Sequence, residues 1–97
     1  MKISEFQNLI KDLYFKQDQN RGINSTFIWL TEEIGEFARI LRSKEINTKN
    51  ASEELADIIA WTNSLANLLN IDLESAIIKK YPGVCFKCNS NPCICEK

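Results

Sequence analysis

The sequence predicts an all-α fold, a small antiparallel bundle of three to four helices in one domain. Three observations carry that expectation. Apolar residues recur every three or four positions through most of the chain, the repeat of a helix with one face turned inward. No stretch alternates apolar and polar residues for long enough to make a strand. The breaks between periodic stretches are short and rich in Asn, Asp, Gly and Pro, which stop and restart helices.

The first segment runs from Ile3 to about Gln17, with Phe6, Leu9, Ile10, Leu13 and Tyr14 at helical spacing. Asn20-Arg21-Gly22-Ile23-Asn24 reads as the break, and Asn24 or Ser25 as the cap of the next helix. The second helix spans about Thr26 to Arg42. At about 100° per residue, Phe27, Leu30, Ile34, Phe37, Ala38 and Leu41 fall on one stripe, the expected core face. Trp29, Glu33, Glu36 and Ile40 form a second stripe beside it. A polar loop follows from Ser43 to Lys49. Asn50 with Glu53 three residues on reads as a capping box for a third helix reaching about Leu69. Its apolar face is Leu55, Ile58, Ile59, Leu65, Ala66 and Leu69, flanked by Glu54, Asp57, Trp61 and Leu68. Asp72 caps a short fourth helix to about Lys80, and Pro82-Gly83 ends it. The helical domain is therefore placed at residues 1–83 and a tail at 84–97.

Two pairs of carboxylates carry the chemistry. Glu33 with Glu36, and Glu54 with Asp57, are each one short helical turn apart and so point to one side. Acidic residues at helix starts complement the helix dipole, which accounts for Glu53 and partly for Glu54. The others have no such explanation. Glu33 lies between Trp29 and Phe37, and Asp57 lies between Glu53-Glu54 and Ala60-Trp61. Only Glu36 has a basic partner at helical spacing, Arg39. Two acidic pairs facing each other across a helix seam form a hard, oxygen-rich site suited to magnesium. Glu32 lies further round its helix, as an additional ligand or a group behind the ligands. Four acidic ligands exceed what one magnesium ion usually takes from protein, so two or more ions sharing the site are expected. Such ions hold polyphosphate and acidify an attacking water, and a free carboxylate accepts its proton.

Composition excludes several other chemistries. The 97 residues contain no histidine, so no step uses imidazole. The only glycines are Gly22, Gly35 and Gly83, too scattered for a phosphate-cradling loop. A net charge of −1 gives no basic field for a nucleic acid polymer or an anionic membrane. No apolar run approaches the ~18 residues of a membrane span, and the first residues lack a signal-peptide pattern, so a cytoplasmic protein is expected.

Glu32-Glu33-Ile34-Gly35-Glu36 and Glu54-Leu55-Ala56-Asp57 together resemble the EExxE…ExxD signature of the MazG-like nucleoside triphosphate pyrophosphohydrolases. Phe27-Ile28-Trp29-Leu30, Ile58-Ile59-Ala60-Trp61, Lys16-Gln17-Asp18-Gln19-Asn20-Arg21-Gly22 and Lys79-Lys80-Tyr81-Pro82-Gly83 also resemble family sequence, the last of compact archaeal-type members. The resemblance covers residues 3 to about 83. It implies a bundle completed by dimerisation, as a homodimer or a dimer of dimers. It also implies magnesium held by Glu33, Glu36, Glu54 and Asp57. The implied activity is hydrolysis of nucleoside triphosphates to monophosphate and pyrophosphate, clearing unwanted nucleotides. Within that frame Trp29 and Trp61 are candidates to stack on a base, and Lys16, Arg21 and Lys79 to meet phosphate oxygens. The alternative is a non-catalytic nucleotide-binding or assembly module.

Cys85, Cys88, Cys93 and Cys95 place four thiols within eleven residues. A cluster of this kind in a reducing compartment suits a structural zinc ion. The Cys-x-Cys step is less usual for zinc, and two disulfides or a free tail are the other readings.

Overall fold

A computed structural model describes residues 1–96. The described residues form four helices, α1 (Ile3–Arg21), α2 (Ile23–Leu41), α3 (Thr48–Leu68) and α4 (Leu73–Lys80). Among the described residues there is no strand. Helix α3 is the central element and packs against both α1 and α2, while α4 packs on α1.

Two helix starts differ from expectation. The break between α1 and α2 is one residue long, not five. Gly22 adopts φ 87° and ψ 167°, a conformation open essentially to glycine alone. The Gly22 amide donates to the Asp18 carbonyl at 2.9 Å, closing α1. The Gly22 carbonyl accepts from the Thr26 amide at 3.0 Å and from the Thr26 hydroxyl at 2.7 Å, opening α2. Asn24 and Ser25 are therefore inside α2 rather than before it. Helix α3 starts at Thr48, capped by the Asn47 side chain accepting from the Asn50 amide at 3.1 Å. Asn50 is thus the donor in the cap that it was expected to form.

The other ends follow the expected chemistry. Asn70, with φ 56°, turns the chain out of α3. Its amide donates to the Asn67 carbonyl and the Ile71 amide to the Ala66 carbonyl, the two bonds of a Schellman ending. Asp72 caps α4 by accepting from the Ser75 amide and hydroxyl, which holds its carboxyl below the ordinary range.

The most deeply buried residues are polar: Asp18, Thr26 and Asn63. Ile10 and Ala66 are the only apolar residues buried to the same class among those described. Gln7, Asn67 and the α3–α4 turn form one hydrogen-bonded knot. Gln7 Nε2 donates to Asn67 Oδ1 at 3.1 Å and to the Ile71 carbonyl at 2.7 Å. Gln7 Oε1 accepts from the Leu73 amide at 3.0 Å, and Asn67 Nδ2 donates to the Gln7 carbonyl at 3.2 Å. These bonds tie α1, α3 and α4 at one end of the bundle.

The stripe expected as the core face of α2 is largely open in the single chain. Phe27, Ile34 and Leu41 are each about half exposed, while Leu30 and Phe37 are half-buried. On α3, Leu55 and Ile59 are likewise open, as is Leu69 at its C-terminal cap. The radius of gyration is 16.0 Å, against about 13 Å for a compact domain of this length. One chain therefore gathers its helices around α3 without covering their apolar faces.

Candidate metal centre and adjoining cleft

Packing α2 against α3 brings their acidic turns together. Carboxylate oxygens of Glu33 and Glu36 from α2, and of Glu54 from α3, all lie within 4.8 Å of one another. Asp57 lies one turn further along α3, outside that tight group, yet its charge reaches both Glu36 and Glu54. Glu32 is exposed and borders a separate recess with Gly35, Glu36 and Arg39. Its position about 100° round the helix from Glu33 turns it away from α3.

The crowding of like charges is visible in the carboxyls' proton affinity. Glu54, through its close approach and its charge, pushes Glu36 above the usual carboxylate range, and Arg39 offsets this in part. Glu54 is raised first by the close approach of Glu33, then by desolvation, with Glu36's close approach acting in the opposite sense. Glu33 Oε2 and Glu54 Oε2 are buried and receive no hydrogen bond. Oxygens of that kind, concentrated on acceptor-only groups, call for a cation rather than a further hydrogen-bond donor.

A cleft of about 300 Å³ opens beside the acids. Tyr14, Gln17, Asp18 and Arg21 of α1 line one side, and Asp57, Ala60, Trp61 and Ser64 of α3 the other. Asp57 therefore belongs to both the acidic row and the cleft wall. Arg21 Nη1 donates to Asp18 Oδ1 at 2.8 Å, and its guanidinium lies 4.8 Å from the centre of the Trp61 ring. Trp61 is also stacked with Trp29, at 6.2 Å between centroids and 10° between planes. The two tryptophans thus brace α2 against α3 beside the acidic group.

The model of the MazG nucleotide pyrophosphohydrolase domain matches residues 21–88. The chain belongs to the MazG family. The match contains both acidic turns, Trp29 and Trp61, and it extends to Cys85 and Cys88. As a MazG protein the chain is a nucleotide pyrophosphohydrolase, a hydrolase of acid anhydrides. A search of curated proteins gives no match to the chain. No helix among the described residues is long and apolar enough to cross a membrane.

Seen on this MazG domain, the residues singled out in the sequence separate into groups. Glu33, Glu36 and Glu54 converge, Asp57 adjoins them, and Arg21 and Trp61 reach the cleft. Lys16 and Lys79 are exposed and line no part of the cleft. Sequence reasoning overlooked Asp18, Tyr14, Gln17 and Ser64. Asp18 is 1% exposed, with Oδ2 buried and without a donor. Its legible signals were its place in the family-like Lys16-Gln17-Asp18-Gln19-Asn20-Arg21-Gly22 segment and Arg21 three residues later, the spacing of a helical ion pair.

Proposed function

We propose that this MazG protein cleaves nucleoside triphosphates between the α and β phosphates in a magnesium-dependent reaction, using the acidic cluster at the α2–α3 seam. The observation that carries the reading is the convergence of three carboxylates with two buried, donor-free oxygens beside an open cleft. Glu33, Glu36 and Glu54 would hold the ion, with Asp57 completing the set from the cleft side. Bound there, magnesium supplies the positive charge that offsets the polyphosphate and acidifies a water molecule.

The chain's own groups do the rest. The cleft wall of Tyr14, Trp61 and the Arg21–Asp18 pair takes the nucleoside, with Gln17 and Ser64 as polar contacts. A volume of about 300 Å³ is at the small end for an organic ligand, which suits a single nucleoside. A carboxylate not engaged by the ion takes the proton of water as its oxygen bonds to the α phosphorus. The bond to the bridging oxygen breaks and pyrophosphate leaves. Such a reaction serves removal of unwanted nucleotides in the cytoplasm.

The open apolar stripes of α2 and α3 support a homodimer or a dimer of dimers as the working form. The test is pyrophosphate release from a panel of triphosphates with magnesium or with a chelator. Glu36→Gln and Asp57→Asn should each abolish release while leaving helix content intact. Activity surviving in both variants refutes the proposed site.

A further inference from the structure

The tail after α4 holds a second cluster that the hydrolytic reading does not use. The sulfur atoms of Cys85, Cys88, Cys93 and Cys95 all lie within 4.8 Å of one another. Cys85 and Cys95 are 3.7 Å apart and Cys88 and Cys93 4.0 Å, and all four are free thiols. A tetrahedral zinc ion with Zn–S distances of about 2.3 Å has sulfur atoms about 3.8 Å apart along every edge. Two disulfides would need the sulfurs only in pairs, each at about 2.05 Å. Mutual approach of all four is the geometry of one shared ion.

The backbone around the thiols is arranged for the same purpose. The Asn89 amide donates to the Cys85 carbonyl at 2.8 Å and the Cys85 amide to the Ser90 carbonyl at 3.0 Å. Asn89, with φ 57°, turns the chain back directly after the second cysteine. The Cys95 amide donates to Cys93 Sγ at 3.4 Å. Backbone donors on sulfur stabilise thiolate charge. Asn91 Nδ2 donates to the Gly83 carbonyl at 3.0 Å and closes the loop.

Ile94 and Phe86 are exposed, so the segment has no apolar core of its own, and a piece this short needs a staple. Its link to the helices is aromatic: Phe86 meets Tyr81 edge-on at 5.8 Å, with Lys80 over the Phe86 ring at 5.0 Å.

The geometry points to a structural zinc site in which Cys85, Cys88, Cys93 and Cys95 bind one ion as thiolates and fold the tail onto the end of α4. Four thiol protons leave as four Zn–S bonds form, and nothing is oxidised. The result is a site of net charge −2 near Lys80 and Lys87, which lies 5.8 Å from the Phe86 ring. With four protein ligands there is no open position for substrate, so the ion is structural. No described residue of the tail lines the cleft beside the carboxylates.

The test uses the full chain, purified under reducing conditions without chelator. Elemental analysis should give about one zinc per chain, and a thiol reagent should modify the four cysteines only after a strong chelator is added. Cobalt exchanged into the site should give the visible bands of a tetrahedral thiolate complex. Cys88→Ser and Cys95→Ser should lose the zinc, whereas Glu36→Gln should keep it even if hydrolysis stops. Absence of zinc with four immediately reactive thiols overturns the inference. So does a mass lower by the hydrogens of two disulfides, or a cobalt complex with octahedral oxygen-ligand bands.

Discussion

Removal of the Arg21 guanidinium should cost more stability than any exposed arginine, because of what it leaves behind. Asp18 is almost wholly enclosed, and its Oδ1 has Arg21 Nη1 at 2.8 Å as its ionic partner. Its Oδ2 already has no donor. Breaking a buried pair from one side typically costs about 3–5 kcal/mol. Arg21 itself keeps 25% of its side-chain surface in water, which places the pair at the lower end. Loss of its contact with Trp61 adds about 0.5–1 kcal/mol. Arg21→Ala should therefore lose about 3.5 kcal/mol. With a urea dependence of about 1.5 kcal/mol per molar, the unfolding midpoint falls by about 2 M. The measurement is urea unfolding at fixed protein concentration, since self-association alters apparent stability. Asp18→Asn in the Arg21→Ala background removes the stranded charge and should recover at least about 1 kcal/mol. A single-variant loss below about 1 kcal/mol, or strict additivity of the two changes, refutes a coupled pair walling the cleft.

Three further outcomes follow from the same structure. Glu36 and Glu54 bind protons more tightly in the fold than the ordinary value of 4.5. Without divalent ion these two carboxyls should therefore add stability at acid pH, and that contribution is lost as pH rises through the raised values. Magnesium needs the ionised carboxylates, so its stabilising effect in thermal unfolding should grow with rising pH and vanish on acidification; a magnesium effect independent of pH contradicts the site. Gly22→Ala meets no neighbouring atom within 4 Å but is forced to φ 87°, so a loss of about 1–3 kcal/mol in urea unfolding is expected. Gln7→Leu removes three side-chain hydrogen bonds and strands Asn67 Oδ1, the Ile71 carbonyl and the Leu73 amide. At about 1 kcal/mol each, a loss of about 3 kcal/mol in the same assay is expected.

The helices were legible because periodicity over long segments survives local detail. Their starts were less so. Asn20 to Asn24 has the composition of a loop, yet one glycine makes the whole turn, and only the φ of Gly22 reveals it. The acidic cluster was legible because one-turn spacing fixes direction: Glu33, Glu36 and Glu54 converge, and the rotation that separates Glu32 from Glu33 also removes it from the group. The position of Asp57 depended on the crossing of α2 and α3, which periodicity does not encode. Asp18 was hidden because a lone aspartate near a helix end ordinarily faces water. The apolar stripe of α2 was identified correctly as apolar, but amphipathicity states that a face needs cover, not which surface provides it.

The polar centre of this bundle has a mechanical consequence. Oily helix faces can slide past one another and repack with little penalty, since greasy contact has no preferred direction. Here Thr26, Asn63, Asn67 and Gln7 engage named atoms across or along the helices. A shift by one turn would unmake several directional links at once. The Gln7–Asn67 links resist shear between α1 and α3, so the two walls of the cleft are held in register by directional bonds rather than by bulk.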